Sequence, residues 1–422
     1  MDLSTALHSQ AMAQQIMQWC DQLAQISAKP NGIHRFYLTP EHKACNQQVA
    51  KWMEQAGMTA FEDAAGNLVG RLTSAVPNAK TLMIGSHLDT IPNAGRYDGI
   101  LGVLLPIAAI RQLNSLGIEL PYHIDVLGFG DEEGIRFGST LLGSRAVAGT
   151  WQSDWWQLED TNGVTMAEAF ESFGLEPDSI GKAAYLPQQL IGYLEVHIEQ
   201  GPVLEQQQLA VGIVSAIAGA RRFQIHFEGF AGHAGTVPMT MRQDALVAAA
   251  EAICQIEAMA KTAGIVATVG HIECRPNAVN VIPGSVRFSL DIRSVDDHQR
   301  DSTLDSIEQQ LDEICAKRNL KWHWHSIHDA AAVHCAPWLM EQQQQTLEAL
   351  EQEPLCLMSG AGHDAMALAE ITDIAMYFVR CKGGISHHPD ESITKEDVVV
   401  ALDTLRTALV QFSQQERFSQ VL

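Results

Sequence analysis

Basic residues are scarce in this chain: 27 Lys and Arg stand against 50 Asp and Glu, a formal net charge of −23. A phosphate-binding footprint needs clustered cations, so this balance argues against nucleic acid or an anionic membrane as a partner. It leaves room for an anionic small molecule, which one or two well-placed arginines can hold. Long apolar runs are also missing, and no stretch approaches the roughly 18 residues of a membrane span. The eight cysteines are scattered with no C-x-x-C pair, which suits free thiols in a reducing compartment rather than a disulfide framework. At the N-terminus, Met1-Asp2-Leu3-Ser4 lacks a basic region followed by an apolar core, so no secretory signal peptide is expected there. The expectation is a cytoplasmic protein whose 422 residues supply a large core in two or three domains.

What the chain does have is polar motifs at the ends of predicted strands. Thr81–Gly85 is short and apolar, as a strand buried on both faces of a parallel sheet should be. It runs into Ser86-His87-Leu88-Asp89-Thr90, followed by Tyr97-Asp98-Gly99 on a glycine-rich loop. Open α/β sheets place their chemistry at such carboxyl ends. His87 and Asp89 face the same way from an extended chain, so the Asp89 carboxylate is expected to accept one ring N–H. The other ring nitrogen is then available to a metal. The next strand, starting at His123, ends in Asp131-Glu132-Glu133-Gly134. Neighbours on an extended chain point in opposite directions, so one of Glu132 and Glu133 is expected as a ligand and the other as a general base.

Two further segments complete the set. In Ile191–Glu199, Leu194, Val196 and Ile198 alternate with Tyr193, Glu195, His197 and Glu199, the pattern of a half-exposed strand that also offers a histidine. Ile385-Ser386-His387-His388 offers another. A lone H-x-D or acidic run is ordinarily a solvated turn with a satisfied histidine. Five clusters, each at a strand end or loop, outweigh that reading. Their number suits two divalent ions sharing a bridging carboxylate, each with an open position for water. Mixed imidazole and carboxylate ligation fits zinc or manganese equally.

The rhythm of elements predicts an α/β protein. Between residues 218 and 329 the order reads β-α-β-β-α-β, the signature of a ferredoxin-like two-layer domain. The expected architecture is a larger mixed-sheet catalytic domain, residues 1–217 and 330–422, interrupted by this smaller insertion. Residues 150–186, with Trp151, Trp155 and Trp156, read as an irregular excursion carrying one helix near Met166–Phe173. The tryptophans there are expected to pack rather than to hold a cofactor.

Several stretches together carry a resemblance. Gly85-Ser86-His87-Leu88-Asp89-Thr90, Tyr97-Asp98-Gly99 and Asp131-Glu132-Glu133-Gly134 are three of them. Glu195-Val196-His197-Ile198-Glu199-Gln200-Gly201-Pro202, Gly232-His233-Ala234-Gly235-Thr236-Val237-Pro238-Met239 and Gly384-Ile385-Ser386-His387 are the others. From about residue 30 onward the chain resembles the M20-type metal-dependent amidohydrolases, within them the allantoate and N-carbamoyl-L-amino-acid amidohydrolase branch. That resemblance implies two divalent ions per chain held by His87, Asp98, Glu133, His197 and His387, with Asp98 bridging. It implies Glu132 as general base and Asp89 as the residue orienting His87. The inserted domain is implied to mediate a homodimer and to close over the site. His233 is implied to stabilise the oxyanion, while Asn280 and Arg293, assisted by Gln200, are implied to bind a substrate carboxylate. The implied reaction is hydrolysis of a ureido C–N bond in a small molecule. A peptidase or aminoacylase on the same scaffold is disfavoured by the Gln200, Asn280 and Arg293 set.

One departure bears on the substrate. Several members of that branch carry glutamine where this chain has Ala220, in Ile217-Ala218-Gly219-Ala220-Arg221-Arg222. Arg222 is then expected near the substrate, gripping a second polar group. Allantoate, with two ureido arms, fits that expectation better than an aliphatic carbamoyl amino acid does.

Overall fold

A computed structural model describes residues 3–414. The chain divides into two compact units: one runs up to Ser215 and resumes at Cys335, and the other is Ala216–His334. The expected divisions were 217/218 and 329/330. Strands β1 (Thr59–Glu62), β2 (Leu68–Leu72), β3 (Thr81–His87), β4 (His123–Phe129), β5 (Leu190–Ile198) and β6 (Val211–Ile217) come first. Next come β7 (Gly219–Glu228), β8 (Gly232–His233), β9 (Val266–Thr268), β10 (Ile272–Arg275), β11 (Val281–Ile282), β12 (Ser285–Ser294), β13 (Lys321–Ala330) and β14 (Val333–His334). The last two are β15 (Cys356–Ser359) and β16 (Ile374–Val379). Among the described residues no helix is long and apolar enough to cross a membrane.

The first unit is a mixed α/β structure whose sheet runs β1-β2-β4-β3-β5-β16-β6, with β15 also on β6. Its centre is parallel: β3 pairs in parallel with β4 and β5, and β16 with β5, while β2 and β6 are antiparallel to their neighbours. Parallel neighbours need crossovers. One is the helix Ile100–Ser115, which buries Leu101, Val103, Leu104, Leu105, Ile107 and Ala108. It lies so close on β5 that a Cβ at Gly102 would sit 2.0 Å from the Val196 carbonyl oxygen, which is why glycine stands there. Because β4, β3, β5 and β16 all run the same way, their carboxyl ends share one edge of the sheet. The loops that follow them converge there.

β5 differs from its expected half-exposed state. It lies between β3 and β16, and its residues from Gly192 to Ile198 are all buried. Its polar alternate face, with Tyr193, Glu195 and His197, is thus an interior polar layer and not a solvent face. The excursion at 150–186 holds the helix Met166–Phe173, capped by a reciprocal Thr165–Glu168 box. Trp151 packs there against Trp155, Trp156 and Phe170, with ring centroids 4.8–5.6 Å apart.

In the second unit the antiparallel order is β10-β12-β7-β13, with β9 also on β12. The helices Ala245–Ala263 and Asp297–Arg318 fall between these strands in sequence. Phe223, Ile225, Phe227, Val286, Phe288, Leu290 and Ile292 form a core with Ala248, Ile307, Leu311 and Ile314 from the helices. Alternate residues on the strands therefore project from the opposite, polar face. β8 and β11 form a separate two-stranded ladder that sets His233 opposite Val281.

Candidate metal centre

Five of the sequence-selected residues meet around one carboxylate. Asp98 Oδ1 lies 3.2 Å from His197 Nε2 and 3.9 Å from His87 Nε2. Its other oxygen lies 3.2 Å from His387 Nε2, which is 3.5 Å from a Glu133 oxygen. Two groups of potential ligands thus share Asp98: His87, Asp98 and His197 on one side, and Asp98, Glu133 and His387 on the other. Each comes from the end of a parallel strand or the loop beyond it. His87 ends β3, His197 sits near the end of β5, Glu133 follows β4, and His387 follows β16. Asp98 reaches the centre because the next residue is Gly99, at φ 69°, where a Cβ would lie 2.4 Å from His87 Nε2. His388 instead lies against Asp390, at 3.6 Å.

The neighbouring polar groups are arranged differently from the expectation in three places. His87 Nδ1 is 3.1 Å from the backbone carbonyl of Asp89, whereas the Asp89 carboxylate is 3.6 Å away. That carboxylate instead accepts the backbone N–H groups of Glu132 and Glu133, at 3.1 and 3.2 Å. Asp89 therefore holds the Glu132–Glu133 turn as well as flanking the histidine. Second, Glu132 and Glu133 do not diverge. The backbone turns at Asp131, φ 61°, and both carboxylates converge with His87. Third, Gln200 donates to both oxygens of Asp98, at 3.2 and 3.3 Å, and to Ser386 Oγ at 3.1 Å.

Burial and crowding govern the acids here. Burial, reinforced by Glu133, Asp364, Asp89 and Asp98, drives the Glu132 carboxyl well above its ordinary value. Burial, with Asp98 and Asp89 adding to it, pushes Glu133 up to about 8. Asp98 is the exception: burial opposes its ionisation, but hydrogen bonds from His197 and His387 outweigh it and hold the group well below the usual range. Among the described residues no lysine or arginine pairs with Asp89, Asp98, Glu132 or Glu133. Crowded carboxylates without a basic partner, facing imidazole nitrogens, fit a divalent ion of borderline hardness.

Sequence reasoning missed a buried layer beneath this cluster. Glu195 is fully buried, accepting from Ser86 Oγ at 2.9 Å and from the Ala365 backbone at 3.0 Å. His363 Nε2 is 2.7 Å from Ser359 Oγ, and its ring is 4.5 Å from that of His197. Neighbouring Asp364 is fully buried, and burial followed by Glu195 drives its carboxyl well above the ordinary range. Glu391, also missed, accepts the backbone N–H groups of Tyr97 and Asp98 at 2.8 and 3.2 Å. The signal available for Glu195 was the polar alternation along β5, which read equally well as solvent exposure.

The second unit carries the other selected residues. His233 is exposed, and its Nδ1 accepts the Gly235 N–H at 3.1 Å, which leaves Nε2 as the N–H donor. Asn280 is exposed, with its carbonyl accepting from Ala234 at 2.9 Å. Arg293 was expected to have its guanidinium open to a ligand, but it forks onto Asp291 with two bonds of 2.7 Å. Arg222 bonds the same carboxylate at 2.8 Å. Two guanidinium charges against one carboxylate leave this trio a net positive group in an acidic chain.

A mixed α/β fold whose sheet gathers two groups of potential metal ligands, joined by one carboxylate, at its carboxyl edge defines a candidate metal-dependent hydrolase centre. The chain belongs to Peptidase family M20/M25/M40, which it matches over residues 83–411. It is 38% identical over 412 residues to allantoate deiminase 1 of Glycine max, covering 90% of this chain and 85% of that protein. It is also 38% identical over 397 residues to N-carbamoyl-L-amino-acid amidohydrolase of Pseudomonas sp. (strain NS671), covering 93% and 96%. A crystal structure of a hydantoinase/carbamoylase-family amidase from Burkholderia multivorans superposes with TM-score 0.90 at 31% identity, covering 96% of this chain and 98% of that one.

Asp98→Asn keeps the shape of the shared residue but removes its charge. Elemental analysis after metal loading is expected to show both ligand groups depleted. Full retention at both would remove Asp98 from the centre.

Proposed function

We propose that this chain hydrolyses the C–N bond of a ureido carboxylate, with allantoate as the favoured substrate. The second reading is an N-carbamoyl-L-amino acid, supported by the equal identity to a relative of that name. The observation that carries the reading is the pair of ligand groups sharing Asp98, with Glu132 beside them. In this reading His87 and His197 hold one divalent ion with Asp98, and Glu133 and His387 hold a second; zinc and manganese both suit the donors. When bound, such ions supply an acidified water and polarise the ureido carbonyl.

The protein's own groups do the rest. Glu132 takes the proton of the attacking water and returns it to the leaving nitrogen. His233, with its proton on Nε2, donates to the developing oxyanion. Arg293, Asn280 and Gln200 hold the substrate carboxylate, and Arg222 grips the second ureido arm. Asp291 keeps both arginines oriented, and the surplus positive charge of the trio favours an anion. The inserted unit, whose strand order suits a ferredoxin-like domain, serves as lid and as the interface of a homodimer. A cytoplasmic setting suits eight cysteines that are all free.

Glu132→Gln is expected to lower kcat by about 10²–10⁴-fold with metal content nearly unchanged, whereas Glu133→Gln lowers metal content. Equal metal loss in both, or substantial turnover in Glu132→Gln, reverses the division of roles.

Arg222→Ala is expected to raise KM more for allantoate than for a simple N-carbamoyl amino acid, and Arg293→Ala to raise it steeply for both. Losing a charged partner of this kind costs about 2–5 kcal/mol. Equal effects of Arg222→Ala on both substrates would return the choice to the carbamoyl amino acid.

If His233 acts in the partner's site, Glu132→Gln and His233→Ala protein regain activity when subunits exchange. Half the dimers are then mixed and half their sites intact, which sets a ceiling of about a quarter of wild-type activity. No recovery after demonstrated exchange rejects the shared site.

A further inference from the structure

The polar face of the second unit's sheet carries a group of metal-binding side chains that the proposed chemistry does not use. β7 and β13 are adjacent and antiparallel, and their register sets His226 opposite His323. Glu228 lies two residues along β7 and projects from the same face. His226 Nδ1 is 3.4 Å from a Glu228 oxygen, and the rings of His226 and His323 have centroids 5.0 Å apart. One nitrogen or oxygen from each of the three lies within 4.8 Å of the other two. His226 is half-buried while Glu228 and His323 are exposed, so the group is open to ions from solvent.

A second observation concerns the other nitrogen of His226. Its Nε2 is 2.9 Å from Ser285 Oγ, on β12 at the other side of β7. In the tautomer whose Nε2–H donates to that hydroxyl, Nδ1 presents its lone pair on the Glu228 side and can ligate. Their 3.4 Å separation is about that of two tetrahedral ligands each ~2.0 Å from one zinc ion. Holding a histidine by its second nitrogen is also how metal-binding imidazoles are oriented.

The neighbours select the class of ion. Arg287 faces His226 from β12 and Lys321 faces Glu228 from β13. With two cations adjacent and a single carboxylate, the group is a poor site for Mg²⁺ or Ca²⁺, which are held by several oxygens. Two imidazoles suit zinc, nickel or copper. We infer that His226, Glu228 and His323 form a separate binding site for a divalent transition-metal ion, built from residues that the Asp98 groups do not use. β13 is the last strand in the sheet order, so an ion bound here ties this outer strand to β7 through side chains as well as backbone.

The test is Zn²⁺ binding by the untagged full-length chain, read by competition with a chromophoric chelator. Wild type is expected to bind one equivalent more than His226→Ala or His323→Ala. Asp98→Asn retains that equivalent, and Asp98→Asn combined with His323→Ala loses it. Ser285→Ala weakens it by about tenfold or more. His323→Gln gives a second, bulk-preserving removal of the ligand, and kcat of the metal-loaded His323 variants stays at the wild-type value. Equal stoichiometry and affinity in wild type, His226→Ala and His323→Ala overturns the site, as does loss of all Zn²⁺ binding in Asp98→Asn. One equivalent in total, kept by Asp98→Asn and lost in His323→Ala, supports this site while removing the Asp98 centre.

Discussion

The site in the first unit depends on the carboxylate of Asp98. It accepts from imidazoles on two sides and from Gln200, and it stays ionised although buried. Burying a charge is costly unless it is paired and hydrogen-bonded. The surrounding structure supplies those partners with side chains from three strand ends. Glu391 fixes the backbone of Tyr97 and Asp98 from behind, and Gly99 lets the loop approach His87. The same convergence crowds Glu132 and Glu133, whose carboxyls burial holds above their ordinary range.

Beneath the ligands the sheet stays polar where a sheet interior is usually apolar. Ser86, Glu195, His363 and Ser359 bond one another or nearby backbone, and Asp364 lies fully buried beside them. Ordered partners restrict the rotation of the strands and of His197, whose ring rests on that of His363. A centre that must hold donors within a few tenths of an ångström gains from such rigidity.

The two units divide the chemistry by type. Around Asp98 the first unit gathers carboxylates and imidazoles that pair with no lysine or arginine among the described residues, and the second gathers Arg222 and Arg293 on Asp291. Asp291 binds Arg222 and Arg293 together, so neither guanidinium swings freely, and the trio keeps a surplus positive charge. The three side chains thus hold one another in a fixed fork.

The amino-acid sequence determined much of this directly. Strand β3 and the helix Met166–Phe173 with its Thr165 cap are local patterns of apolar period and capping chemistry. The histidines and acids were legible because each motif sits at a strand end. Three things were decided only by tertiary structure. β5 is central in the sheet and buried on both faces, with the helix Ile100–Ser115 against the Val196 side and the Ala365 segment against Glu195, so Glu195 belongs to the interior. Glu132 and Glu133 converge because the chain turns at Asp131 and Asp89 holds both backbone N–H groups. Arg293 meets Asp291 because two residues spaced by two share one face of β12, and Arg222 joins them because β7 places it directly opposite Asp291. Local sequence sets which way a side chain can point, but its partners depend on register and strand order, which residues far apart in the chain establish together.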